Sequence, residues 1–405
     1  MRSKMLPSLL VLLFLAAVLN AWCASNYKVL HSFTGGNDGE ILWGSLLLGP
    51  QGNVYGTTNY GGANGGGTVF ELSRKRNGTW SEATLWSFDG TDGTSSTAGL
   101  IFDKSGNLYG TTGFGGADAN GTVFELSPQG DSTWTETVLY SFGKQGPAVP
   151  YAGVTMDASG NLYGTAGGYA YQLSSGSNGW TLTDLHEFLG QDGDGYGPLA
   201  GVILGSAGNL YGTTEYGGAH GAGTVYELMP GPGGWQERIL HSFAASPGDG
   251  QVPGVGALVS DQPGRLYGTT AQGGANICVD VGCGTIFRLT PGTNGHWKET
   301  ILYSFSPKGD GAGGFGPGGG VVLDKAGNIY GTSFYGGDPH CGCGVIYKLA
   351  PGAKGNRKYT VLHRFTGFDG AQPDANLVID TKGNLYGTTT LGGTHNLGVA
   401  FELTP

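Results

Sequence analysis

The sequence predicts an all-β chain: a seven-bladed β-propeller, four antiparallel strands per blade, closed by an N-terminal strand that completes the last blade. Three observations lead there. Composition disfavours helix, because 82 glycines and 18 prolines stand among 405 residues and charged residues amount to only 12%; the 39% hydrophobic and 11% aromatic residues nevertheless supply a core, which separates the chain from Gly/Pro-rich disorder. A string close to Gly-Asn-Leu-Tyr-Gly-Thr-Thr recurs seven times, its tyrosine at Tyr55, Tyr109, Tyr163, Tyr211, Tyr267, Tyr330 and Tyr386. The two chain ends are out of phase with that repeat, as ring closure requires.

Residues 1–25 read as a secretory signal and 26–405 as the propeller. Arg2 and Lys4 precede the apolar run Leu9 to Leu19, and small residues follow around Ala21 to Ser25. A run of that length cannot span a bilayer as a helix, and no second run follows, so the chain is not expected to span a membrane. Cys23 invites a lipid anchor, but Trp22 stands where such a signal takes a small residue. Twenty basic against thirty acidic residues give a net charge of −10, which argues against a nucleic-acid partner. A secreted, acidic monomer is expected.

Each repeat offers four strand-length pieces rich in β-branched and aromatic residues. In the second copy these are Gly99 to Asp103, the Leu-Tyr-Gly-Thr-Thr string, Gly121 to Leu126 and Val138 to Phe142. Asp103-Lys104-Ser105-Gly106-Asn107 places Asp and Gly where a tight turn wants them, so the first two strands form a hairpin. Radial stacking of such units buries their faces and shields their edges, whereas a linear solenoid would need shorter, parallel rungs. Tyr27 to Phe33 matches the last strand of a repeat, and the chain stops after Val399 to Leu403, which matches the third. The N-terminal strand is therefore expected to complete blade seven.

The long loops, joining second to third strand and fourth strand to the next blade, emerge on one face, where a localised function belongs. Four groups there are candidates. Tyr60, Phe114, Tyr216 and Tyr335 share one loop position; they either stack on a sugar or polymer surface or wedge between blades. Asp-Gly pairs, among them Asp92, Asp192, Asp249, Asp310 and Asp369, either shape turns or hold a hard cation such as calcium. His31, His186, His241 and His363 occupy a position filled elsewhere by Trp86, Tyr140 and Tyr303, so a packed flat ring is preferred to metal or proton chemistry. Cys278, Cys283, Cys341 and Cys343 are disulfide candidates; pairing within each loop, crosswise pairing between blades, and a zinc site with His340 are all open. Within-loop pairing of Cys341 with Cys343 would make a small strained ring.

The axial strands begin Gly44-Ser45, Ala98-Gly99, Ala152-Gly153, Ala200-Gly201, Gly256-Ala257, Gly319-Gly320 and Ala375-Asn376. Nearly every one of these side chains is too small to carry chemistry into the shaft, and no nucleophile elbow, phosphate loop or metalloprotease spacing occurs elsewhere. Glu71, Glu125, Glu227 and Glu402 recur at a position that also takes Gln172, Arg288 and Lys348, which reads as a solvated strand face.

The unit Gly-Leu-Ile-Phe-Asp-Lys-Ser-Gly-Asn-Leu-Tyr-Gly-Thr-Thr (99–112), then Gly-Thr-Val-Phe-Glu-Leu-Ser-Pro (121–128), then Leu-Tyr-Ser-Phe, resembles the GloVer tandem repeat of exported bacterial proteins, over about residues 27–405. More distantly its hairpin resembles NHL-type propeller repeats. The resemblance implies an extracellular or cell-surface protein and carries no established catalytic residues; with Pro405 closing the last strand, a C-terminal anchor is not expected. The expected function is non-enzymatic binding of an extracellular polysaccharide or surface protein on the loop-rich face, without a cofactor unless the aspartates take calcium. A metal-dependent lyase or lactonase, and a structural or protein-interaction module, are the alternatives.

Overall fold

A computed structural model describes residues 26–130, 133–244, 248–254, 256–278, 281–307 and 313–405. The leader read at residues 1–25, and Asp310, lie outside them. Seven antiparallel sheets follow one another around an axis. Blade two runs Ile101–Phe102, Leu108–Thr112, Thr122–Pro128 and Trp134–Ser141 from axis to rim, and the other six repeat this order. Blade seven combines Val378–Ile379, Leu385–Thr389 and Val399–Thr404 with the N-terminal Asn26–Ser32, which pairs antiparallel with the last strand from Asn26↔Thr404 to Ser32↔Val399. The predicted closure is thus present. Blades five and six gain a short extra strand, Gly250–Pro253 and Phe315–Pro317, that extends the second strand's ladder on the loop side. No helix among the described residues is long and apolar enough to cross a membrane.

The repeat string can be read as a set of contacts. In blade two the Asp103 carboxylate accepts hydrogen bonds from the Ser105 and Asn107 backbone amides, from the Asn107 side-chain amide and from the Tyr109 hydroxyl. The tight turn is thereby tied to the second strand. Gly106 sits at φ +89°, a conformation that suits glycine. Gly110 lies opposite Phe124, whose ring would stand 2.6 Å from a Cβ added there, so glycine makes the bed for a third-strand aromatic. Where the aspartate is missing, in blades one and four, the tyrosine turns to the third-strand glutamate instead: Tyr55 donates to Glu71 at 2.8 Å and Tyr211 to Glu227 at 3.0 Å. Glu227 is only 2% exposed and also pairs with Arg238. The solvated-face reading fails at Glu227, which is a buried acceptor.

Blades adhere through a sevenfold aromatic joint. The phenylalanine ending each outermost strand packs on the third-strand ring of the following blade: Phe33 on Phe70, Phe88 on Phe124, Phe142 on Tyr171, Phe188 on Tyr226, Phe243 on Phe287, Phe305 on Tyr347 and Phe365 on Phe401, with centroids 4.7 to 5.5 Å apart. Nearer the axis, the first threonine of the repeat pair reaches across the seam. Thr57, Thr111, Thr165, Thr269 and Thr388 donate to the carbonyls of Ala98, Ala152, Ala200, Gly319 and Gly44. The second threonine bonds within its blade, as Thr112 does with Thr122. In blades one, two, five and seven both threonines are therefore consumed by the scaffold, whereas the Thr213 and Thr332 hydroxyls are buried without a partner.

Candidate functional site

The two kinds of long loop are laced together on one face. Ser95 donates its backbone N–H to the Gly66 carbonyl, Val149 to Asn120, Val252 to Ala222 and Gln372 to Cys343, so each entry loop leans on the second-to-third-strand loop of the blade before it. Ser95, Val149, Val252 and Gln372 all adopt φ between 52° and 58°, costly for non-glycine residues and repeated wherever the chain turns toward the axis. Loops held this way present side chains in fixed positions.

Large apolar side chains exposed to solvent all belong to this face, among the described residues. Tyr60, Phe114, Tyr216 and Tyr335 are 45–49% exposed, so they stand up from the rim, each paired across the backbone with an entry-loop residue. For Tyr216 that residue is another exposed ring, Tyr196; for Tyr335 it is Phe315, stacked at 5.3 Å. A groove of about 540 Å³, bounded by Gln272, Phe315, Pro317, Phe334, Tyr335 and Asp374, runs from this pair toward the axis.

At the axis lies a cavity of about 320 Å³ lined by the small pairs expected from the sequence: Gly44-Ser45, Ala98-Gly99, Ala152-Gly153, Ala200-Gly201, Gly256-Ala257 and Ala375-Asn376. Close approach of neighbouring axial strands explains their size, since a Cβ on Gly44 would meet the Ala98 carbonyl at 2.5 Å. The residues one step earlier ring the mouth and were not singled out from the sequence. They are Trp43, Thr97, Tyr151, Leu199 and Asp374, of which Trp43, Tyr151 and Leu199 are exposed. Burial pushes the Asp374 carboxyl up to about 7, and no described residue hydrogen-bonds to it. Asn376, beside it, is held by accepting from the Gly320 amide. The signal was legible: in each blade the position before the small pair is free to vary, and only blade seven places a carboxylate there.

The other sequence-predicted residues are placed as follows. Asp92 and Asp369 accept from the outermost-strand ring of their own blade, Trp86 at 2.8 Å and His363 at 3.0 Å, while receiving the backbone amides of Asp89 and Thr366. Asp249 takes the Ala244 amide and lies 3.6 Å from His241. Burial alone would raise the Asp369 carboxyl, but His363 and Thr366 outweigh it and hold it low. Asp192 is exposed at φ 54°; its neighbour Asp194 takes the repeat's role, 3.2 Å from His186. The recurrent rings also pack edge-on against the joint phenylalanine, as His31 does on Phe33 at 4.7 Å. Cys278 is bonded to Cys283 and Cys341 to Cys343, each within its own loop.

A profile of the Gloeobacter/Verrucomicrobia repeat matches residues 18–176, 165–298 and 279–405. The chain belongs to the Gloeobacter/Verrucomicrobia repeat family. No curated protein sequence is significantly similar to this family member. Solved structures share its architecture at low identity. A candidate 6-phosphogluconolactonase from Bacteroides uniformis is 13% identical, with a TM-score of 0.51 over 89% of this chain and 99% of that one. A second candidate 6-phosphogluconolactonase, from Bacteroides fragilis, is 13% identical, with a TM-score of 0.50 over 89% and 98%. The PQQ-bound aldose sugar dehydrogenase of Streptomyces coelicolor is 12% identical, with a TM-score of 0.47 over 94% and 98%. At these identities the likeness concerns the fold alone. It leaves the loop face of the repeat-family propeller to be read from its own residues.

Proposed function

We propose that this repeat-family propeller is a secreted binding protein whose loop-rich face takes an extracellular polymer, a polysaccharide above all, by stacking sugar rings on its rim aromatics. The observation that carries this reading is the confinement of exposed large apolar side chains to that face, with Tyr60, Phe114, Tyr216 and Tyr335 at one repeat position and about half exposed. Rings spaced around a rigid rim give several weak stacking contacts to one long ligand, and such contacts add when the ligand spans more than one blade. Their polar surroundings, among them Gln272 and the loop backbone, supply hydrogen bonds to hydroxyls. Pull-down on insoluble polysaccharides and a glycan array should show binding that is lost when the four rim residues become alanine. Binding that survives the fourfold substitution would contradict the proposal.

A catalytic reading finds support in a single group, Asp374, whose raised pKa suits proton transfer at the channel mouth. Lactonase or lyase chemistry would need a cation or a second acid beside it. Hydrolysis of a lactone panel, sensitive to divalent ions and abolished by Asp374→Asn, would favour that reading over simple binding.

A further inference from the structure

Two neighbouring seams at the outer rim carry one imidazole and two carboxylates that converge. Between blades three and four these are His186, Asp194 and Glu237; between blades four and five, His241, Asp249 and Glu299. In each set the donor atoms all lie within 4.8 Å of one another. His186 Nε2 stands 3.2 Å from Asp194 Oδ1 and 3.7 Å from Glu237 Oε2, and His241 Nε2 stands 3.6 Å from Asp249 Oδ1 and 3.7 Å from Glu299 Oε2. His241 Nε2 is fully shielded from solvent yet has no hydrogen-bond partner, and Glu237 Oε1 and Glu299 Oε1 are likewise buried and unpartnered. Leaving such atoms bare is costly unless something absent fills the space between them. Among the described residues, no lysine or arginine pairs with these four carboxylates.

We infer that each seam binds one divalent transition-metal ion of the zinc class, held by one imidazole nitrogen and two carboxylates with a position left for water. The ion bridges adjacent blades, because histidine and aspartate come from one and glutamate from the next. Other seams fill the same place differently, which supplies an internal comparison. Between blades one and two, Trp86 donates its N–H to Asp92 at 2.8 Å, and a ring N–H cannot ligate a metal. Between blades five and six Tyr303 stacks on Tyr359 at 4.4 Å, and between six and seven His363 stacks on Tyr27 at 3.8 Å. Between blades seven and one, Asp38 sits 2.9 Å from His31 while Glu82 accepts from Thr84, and the three do not converge as the other two sets do.

The test uses the mature chain stripped with a chelator and titrated with zinc sulfate, read by calorimetry, by metal analysis after desalting and by melting temperature. Two equivalents of zinc and a rise in melting temperature are expected. The double variant His186→Trp/His241→Trp copies the arrangement of the Trp86 seam and should fold, take up no zinc and melt at a temperature indifferent to zinc. Glu237→Gln/Glu299→Gln keeps side-chain shape and serves if the tryptophan variant fails to fold; it too should lose both equivalents. Absence of uptake by the unaltered chain, or equal uptake by both variants, would overturn the inference.

Discussion

At the residue scale, Asp374 is a side chain whose chemistry departs from what its position suggests. The small axial pairs were readable because close-packed axial backbones admit nothing larger. Asp374 escaped because it stands one residue outside that pattern, and its character depends on burial between the channel mouth and the groove beside Tyr335. Its carboxyl titrates near 7 in the fold, against about 4 in an unfolded chain, so the protonated form is the one the fold prefers. Ionising it costs stability: the cost is absent below pH 4 and grows as pH rises from about 4 to about 7. Asp374→Asn should therefore stabilise the protein at pH 8, by up to about 4 kcal/mol, and leave it unchanged at pH 4. Denaturant unfolding at the two pH values checks this; equal effects at both would place the carboxyl in an ordinary solvated environment.

At the element scale, the blade seams decide cohesion. The Phe at the end of the outermost strand and the aromatic of the next blade's third strand lie 29 to 44 residues apart in the chain, so the sequence displayed both as repeat positions without revealing that they meet. Separation along the chain also hid the Glu237 and Glu299 clusters, where the glutamate arrives from the blade after the one that supplies histidine and aspartate. Phe142 is fully buried against Tyr171, and Phe142→Ala should cost about 3–5 kcal/mol, the range for emptying an aromatic core position. Thermal denaturation measures it. A loss below about 1 kcal/mol would show that the joint collapses around the gap and that cohesion lies elsewhere. The hairpin turns, by contrast, were fully legible, since Asp103, Gly106, Asn107 and Tyr109 interact within one short stretch.

At the scale of the whole molecule, the number of blades and the closing strand followed from counting one string and comparing the phase of the two ends. Local repetition makes such a fold readable, because each unit meets only its neighbours. The loop-rich face was legible only as a set of loops: exposure of Tyr60, Phe114, Tyr216 and Tyr335, and the ring of Trp43, Tyr151 and Leu199 around the mouth, depend on how loops of adjacent blades lace together. The opposite edge carries tryptophans too, Trp80, Trp134, Trp235 and Trp297, at the start of the outermost strands, and they are partly buried against neighbouring blades. This asymmetry permits a direct test. Hydroxyl-radical footprinting with and without a bound polysaccharide should show protection of Tyr60, Phe114, Tyr216, Tyr335, Trp43 and Tyr151, with oxidation of Trp80, Trp134, Trp235 and Trp297 unchanged. Protection of the second group with the first left open would contradict a ligand seated on the loop-rich face.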